Sequence, residues 1–474
     1  MEKMKNIFNK LNIEKILCIF IIITPILDII SFLSRRYFNT NYSVSIIIRP
    51  IIPLIVGLYI FLKEKRKKGI LIILLLYCFY GFIHLFIYYS NLKNCSFGTV
   101  FQEARYIANY SFMVITLIIY LNVFKNYDKK ELYSSILISN TVYIFSIFLA
   151  ILTNTSSSSY IEGIGYKGWF ESANSVGSVL IFSTTIILSR IHNINDIRKK
   201  IWSITIVIMN GVYLTTLIGT RVGLFGFFGL IIAYVVVHIV LSSVRKNNIN
   251  KKNILIVFGI LIIIFITAIA FGSNTINRRK LLDTNSEKVI DNLTNKKSHI
   301  TGDLSLIYYK IKNNEIENNF MTNSQKQSII DLYNYANEHE VKNTDNRMQQ
   351  LIYHVFLVGN QKSMVLVLFG NGYLINTNEL VLEMELISII LNFGLIGTVL
   401  YLGLFIYIFI KAIVIFVKNI KKVDEEFCMI LIGNGLAYVF STLAGYTFFN
   451  PSSMLLIILM AVILYNKTIQ IRGD

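Results

Sequence analysis

Charge is what this chain has least of. Charged residues fill 15% of its 474 positions, while 54% are hydrophobic. A soluble protein of this length carries more charge and fewer unbroken apolar stretches, so a soluble fold is excluded. Cysteine is scarce as well: Cys18, Cys78 and Cys428 lie inside apolar runs and Cys95 in a polar loop. Neither a disulfide framework nor a metal spacing follows from that set. There is no phosphate-cradling glycine loop, no HExxH and no paired-cysteine motif, which leaves an ATP-driven mechanism without support. His84, His192, His238, His299, His339 and His354 are scattered, with no pair at metal-ligand spacing, and His299 and His354 read as loop residues. No metal and no cofactor is expected. No internal repeat is visible, which weighs against a transporter built from inverted repeats. No small-x-small cleavage site follows the first apolar run, so that run is read as an uncleaved first helix.

What is present is a succession of apolar runs long enough to cross a hydrocarbon core, which takes roughly 20 residues per helix. The runs are continuously apolar rather than alternating, which selects helices over barrel strands. Spans are expected near 14–33, 43–62, 69–90, 104–124, 132–152, 171–189, 201–219, 222–243, 253–272, 394–416, 427–447 and 452–468. The predicted fold is therefore all-α and polytopic. It has about twelve transmembrane helices, and one large polar segment between spans nine and ten. That gives three parts: helices one to nine over 1–272, a loop over 273–393, and helices ten to twelve over 394–474.

The net charge of +18 comes from short basic clusters between apolar runs, such as KEKRKK (63–68). Such clusters fit the positive-inside rule and contact with anionic lipid, and they exclude nucleic acid as the partner. By parity, the basic clusters fall on one side together with both termini. The short loops of the other side hold Arg35, Arg36, Lys93, Lys167 and Arg221. This predicts a multi-pass protein of the cytoplasmic membrane with cytoplasmic termini and an external large loop. Within that loop, residues 322–340 and 344–358 read as helices, the first with Thr322 as N-cap. The loop is thus expected to form a small helical cap.

Residues 379–393 (ELVLEMELISIILNF) resemble a further span but carry Glu379, Glu383 and Glu385. Glutamates in hydrocarbon are costly, so an interfacial helix leading into span ten is expected instead. On such a helix Glu379 and Glu383 share a face and Glu385 points elsewhere. A carboxylate at the membrane surface loses part of its hydration, which raises its pKa and suits it to general-base work. The bland reading is a solvated polar face.

Other charges stand where charge is expensive: Asp28, Arg49, Glu103, Arg105 and Arg221, all toward the outer side. Asp28 with Arg49 and Glu103 with Arg105 are either structural pairs or substrate contacts. Arg221 has no acidic neighbour in sequence. It is either a snorkelling arginine or a clamp for phosphate, whose oxygens its planar fork fits.

Four stretches together resemble the O-antigen ligase and polysaccharide polymerase superfamily. They are GWFESANSVGS (168–178), GTRVGLFG (219–226), FGNGY with the glutamate stretch and GLIG (369–397), and AGYTFFNPSS (444–453). The likeness covers most of the chain, including the position of the long loop. It implies a membrane glycosyltransferase that polymerises or ligates glycans carried on polyprenyl diphosphate at the outer face. The partners would be that lipid-linked donor, a glycan acceptor and the bilayer. Glu383 falls where the ligase branch carries a catalytic histidine before the GxxG of Gly394 and Gly397, which makes a lipopolysaccharide-core ligase the poorer fit. The resemblance implies Glu383 as base and Arg221 as diphosphate contact. Arg49, Arg105, Arg347, Asn174 and Glu379 would be further donor or sugar contacts. The transfer would be inverting and metal-independent. The competing readings are a flippase of the same lipids, a peptidoglycan glycosyltransferase of the shape-and-division class, and a membrane scaffold.

Overall fold

The structure is a computed structural model. It describes residues 12–38, 44–63, 67–91, 97–126, 129–161, 163–245, 251–281, 303–316, 321–341, 345–373, 380–445 and 447–473. In chain order the helices are α1 (Ile13–Phe38), α2 (Val44–Lys63), α3 (Lys67–Asn91), α4 (Phe97–Val123), α5 (Lys129–Leu152), α6 (Ala173–Arg190), α7 (Ile197–Val212), α8 (Arg221–Arg245) and α9 (Lys251–Phe271). After α10 (Asn274–Leu281) come α11 (Asp303–Lys312), α12 (Asn323–Glu338), α13 (Asn346–Gln361), α14 (Met364–Phe369), α15 (Glu385–Lys418), α16 (Glu425–Leu443) and α17 (Pro451–Gly473). Among the described residues, ten helices are long and apolar enough to cross a bilayer: α1, α3 to α8 and α15 to α17. The run expected at 253–272 is half of a pair bent by 44°, Gly259–Ala270 with Asn274–Leu281. The run expected at 43–62 contains a shorter apolar helix, Ile48–Leu62. Pro50 and Pro53 sit inside that helix, where each removes a backbone donor. The chain is a multi-pass, almost entirely helical membrane protein.

α6 is the centre of the bundle, buried along almost its whole length. It carries hydroxyls where a lipid-facing helix carries leucine, and these are answered internally. Ser183, Thr184 and Thr185 donate to the carbonyls of Val179, Leu180 and Ile181. Neighbouring helices bond to the same hydroxyls. Asn140 of α5 donates to Ser183 at 2.6 Å and Asn210 of α7 to Thr184 at 2.9 Å. Small residues let the helices approach: a Cβ on Gly433 of α16 would lie 2.7 Å from Thr185. This is membrane-helix packing, in which close contact and interhelical hydrogen bonds replace the hydrophobic drive of water.

Two findings depart from the sequence reading. A two-stranded antiparallel hairpin, β1 (Ser158–Ile161) with β2 (Ile164–Tyr166), fills the connection between α5 and α6 where no strand was expected. And the helix expected over 379–393 begins only at Glu385: residues 385–393 form a short helix that leads into the span across a break at Gly394 with φ 68° and ψ −174°. The break has a steric cause. Residues 370–372 cross it backbone to backbone, with Asn371 N–H on Leu391 O at 3.0 Å and Gly372 N–H on Asn392 O at 2.8 Å. A Cβ on Gly394 would lie 2.4 Å from Leu368 O, and one on Gly370 would lie 2.1 Å from Asn392 O. The FGNGY and GLIG stretches are two sides of one crossing.

The segment between α10 and α15 has its own core. Tyr308, Ile329, Leu332, Tyr333, Tyr353 and Leu357 pack together from α11, α12 and α13. Thr322 caps α12 through a reciprocal capping box with Gln325, as its position before an amphipathic run predicts.

Candidate active site

Glu383 is not on a helix. α15 starts at Glu385, and Glu383 lies in the extended stretch before it, so the shared helical face with Glu379 does not form. Glu379 itself lies outside the described residues. The backbone of Glu383 is pinned from two sides. Its N–H donates to the Gln350 side chain at 3.1 Å. Its carbonyl lies against Gly445, where a Cβ would come within 2.2 Å.

The carboxylate meets Arg347 from α13, whose Nε donates to Oε2 at 3.1 Å. The other arms of that guanidinium donate to the carbonyls of Leu443 at 3.0 Å and Ala444 at 2.9 Å, at the end of α16. Asn174, in the first turn of α6, approaches the same Ala444 carbonyl at 3.5 Å. Arg347, Asn174 and Glu383 therefore converge on residues 443–445. The Glu383 side chain is 40% exposed and that of Arg347 38%, so the pair opens to solvent and the expected desolvation is partial at most. Glu383 Oε1 has no hydrogen-bond partner among the described residues. One oxygen is held and one is presented.

α13 supplies this grip from one face. Arg347, Gln350 and His354 follow at spacings of three and four, which stack on a helix. His354 is buried and its Nδ1–H donates to Gln350 O at 2.8 Å. Burial pushes its pKa down from 6.5 to about 4 against the smaller upward pull of that hydrogen bond. It is a neutral packing residue of the cap.

Arg221 opens α8 at the same end of the bundle. Thr220 caps that helix, its Oγ1 accepting the Gly223 N–H at 3.0 Å. Arg221 is exposed and makes no hydrogen bond or ion pair among the described residues. A Cβ on Gly177, one turn after Asn174 in α6, would lie 3.6 Å from Thr220 Oγ1 and 3.9 Å from Gly223 N. The first turns of α6 and α8 thus touch. Arg221 is a neighbour of the Asn174–Ala444–Arg347 cluster through α6, with no direct contact to Glu383 among the described residues. A free guanidinium on the positive end of a helix is a site of strong anion attraction.

Arg49 faces inward. It bonds Asp28 at 2.5 Å and Ser452 at 3.1 Å, while Ser452 and Tyr143 donate to the second Asp28 oxygen. This network ties α1, α2, α5 and α17 through Nη2 of Arg49, whose Nε is buried without a hydrogen-bond partner among the described residues. The expected pairing of Glu103 with Arg105 does not form. Glu103 is fully buried and takes His84 Nε2 on one oxygen at 2.8 Å and the Tyr373 N–H on the other at 2.9 Å. His84 Nδ1–H donates to Phe369 O at 2.7 Å, so the pair holds down both ends of FGNGY. Two residues on in α4, Arg105 points outward and is exposed.

Glu385 is the residue that sequence reasoning set aside. It is buried and accepts three backbone N–H groups: Thr447 at 2.9 Å, Phe448 at 2.7 Å and Phe449 at 2.8 Å. By gathering these three donors the carboxylate shapes the turn before α17. No sequence signal links positions 62 to 64 apart in this way.

These features define the class: a polytopic helical membrane protein with a helical segment between α10 and α15 whose Arg347 meets Glu383 and the end of α16. Over residues 10–470 the chain matches the family described as O-antigen ligase like membrane protein, and it belongs to that family. No curated protein and no solved structure matches it. Membership makes it a membrane enzyme of glycan ligation or polymerisation.

Proposed function

We propose that the protein transfers glycans from polyprenyl diphosphate to a glycan acceptor at the outer face of the cytoplasmic membrane, with Glu383 as base and Arg221 as diphosphate contact. Twelve spans, cytoplasmic termini and an external cap belong to this reading. So does the bent pair α9–α10 as the last crossing before the cap. The observation that carries the proposal is the carboxylate with one oxygen held by Arg347 and one presented, at the bundle end where Arg221 has no partner among the described residues.

The chemistry follows from that division. The diphosphate is a good leaving group and needs no general acid. Charge builds on its bridging oxygen as the anomeric carbon is attacked, and a fixed cation there lowers the barrier. Arg221 supplies it, and the exposed Arg105 is available to the rest of the head group. Glu383 Oε1 takes the proton of the acceptor hydroxyl, and direct displacement inverts the anomeric carbon. Arg347 positions Glu383, and Asn174 adds a polar contact beside it. Arg49 would meet the donor only with the nitrogens that Asp28 and Ser452, both on its Nη2, leave unbonded. Glu379 would contact the acceptor sugar.

The test is substitution in cells. Glu383→Gln and Arg221→Ala should abolish long-chain product while the protein still inserts at normal levels. Normal product length in either variant removes that residue's role.

A further inference from the structure

A second cluster lies at the opposite end of the bundle from Glu383. His192 follows the C-terminal end of α6, whose first turn carries Asn174. Tyr234 and His238 lie one turn apart on α8, and His238 is 17 positions after Arg221, about 26 Å along a helix. Glu425 is in the first turn of α16. His192 Nε2 is 2.9 Å from His238 Nε2 and 3.3 Å from Glu425 Oε2. His238 Nδ1 is 2.8 Å from Glu425 Oε1. Tyr234 Oη is 2.5 Å from His192 Nε2. One ligand atom from each of His192, His238 and Glu425 can be chosen so that all lie within 4.8 Å of one another.

We propose that His192, His238 and Glu425 form a binding site for a divalent transition-metal ion of the zinc class. The reason is the crowding around His192 Nε2. A ring nitrogen has one lone pair or one hydrogen in its plane, yet this one faces a hydroxyl, an imidazole nitrogen and a carboxylate oxygen. A single hydrogen bond satisfies one of these. A cation placed among them satisfies all. Two imidazoles and one carboxylate are a donor set that zinc accepts, and the Tyr234 hydroxyl or a water completes four. Bonds of about 2.0–2.1 Å to a tetrahedral ion set its ligands about 3.3 Å apart; His192 Nε2 lies 2.9 Å from His238 Nε2 and 3.3 Å from Glu425 Oε2, and the ion would draw the third ligand pair in from within 4.8 Å.

The surroundings favour the carboxylate staying with the histidines. The cations nearby are already matched: Lys467 pairs with Asp424 and Glu426, Arg190 with Glu426, and Arg245 with the Val423 carbonyl. Glu425 is left to His192 and His238. The His238 side chain is 5% exposed and those of His192 and Glu425 are 16% and 31%, so the site is anchored yet open to an entering ion. On the orientation proposed above it faces the cytoplasm. It ties together α6, α8 and α16, the three helices whose other ends carry Asn174, Arg221 and the carbonyls gripped by Arg347. A bound ion would therefore stiffen the frame of the transfer site without touching substrate.

The experiment uses untagged full-length protein in detergent, stripped with chelator and titrated with Zn²⁺. Wild type should bind one ion per chain, with a rise in melting temperature. Co²⁺ in its place should show the visible absorption of a four-coordinate site. His238→Asn and Glu425→Gln keep side-chain hydrogen bonding and should weaken Zn²⁺ binding by about 100-fold or more and abolish the thermal shift. Because the wild-type stoichiometry and Co²⁺ spectrum are read independently, a variant that fails to fold does not spoil the test. Wild type that binds no stoichiometric Zn²⁺, or binding unchanged in both variants, overturns the proposal and leaves a hydrogen-bonded His–His–Glu chain.

Discussion

If Arg347 works through Glu383, removing both should cost no more than removing Glu383 alone. Arg347 makes three hydrogen bonds, to Glu383 at 3.1 Å, Leu443 O at 3.0 Å and Ala444 O at 2.9 Å. Its pair with Glu383 is more than a third exposed on both sides, so solvent screens it to about 1 kcal/mol or less. The two carbonyl bonds are partly screened as well and add about 1 kcal/mol together. Arg347→Ala should thus lower stability by at most about 2 kcal/mol and leave the protein folded. Its larger effect is on rate, because a positioned base contributes about 10²- to 10⁴-fold. Glu383→Gln should lose about 10³-fold of that. Arg347→Ala should lose about 10- to 100-fold, as the carboxylate swings free of its productive position. The assay is the initial rate of transfer from a fluorescent lipid-linked oligosaccharide by purified variants in liposomes, with thermal unfolding as the folding control. The double variant should match Glu383→Gln alone. Losses that multiply would refute the reasoning and make Arg347 an independent substrate contact.

Arg221→Ala should lower kcat and raise the donor KM, by about 10²-fold in kcat/KM, while Arg221→Lys restores part of it as a point charge without the fork. An unchanged donor dependence in the alanine variant would disprove the contact. Gly394→Ala places a Cβ 2.4 Å from Leu368 O at a residue with φ 68°, and should destabilise the crossing by about 2–4 kcal/mol, read as a lower melting temperature. His354 makes the cap acid-sensitive. Its folded pKa of about 4 lies below the unfolded 6.5, so its share of stability is whole above pH 6.5 and is lost as pH falls toward 4. The loss reaches about 3 kcal/mol at most, seen as rising proteolysis of the cap. His354→Leu should flatten that pH profile.

Much of the frame was legible because hydrocarbon thickness and backbone hydrogen bonding leave few choices. Apolar runs located the helices, and Thr322 announced α12. The site was legible in its parts but not in its joints. Glu383 read as helical because propensity cannot see its backbone pinned by Gln350 and Gly445, so the helix starts only at Glu385. Glu103 was matched with Arg105 by proximity in sequence. The bundle gives it to His84 on the facing α3, since a buried carboxylate takes whichever donor packs against it. His192, His238 and Glu425 carried no spacing signal because they come from three helix ends, one of them far along the chain. Arg221 could be singled out, because the lack of a nearby acid in sequence is matched by the lack of a partner among the described residues.

The most direct measurement is single-turnover transfer by purified Glu383→Gln protein loaded with lipid-linked donor, with donor binding followed in the same vesicles. The account predicts that donor affinity holds while glycan transfer falls by about 10³-fold. Transfer at the wild-type rate with donor bound would contradict it.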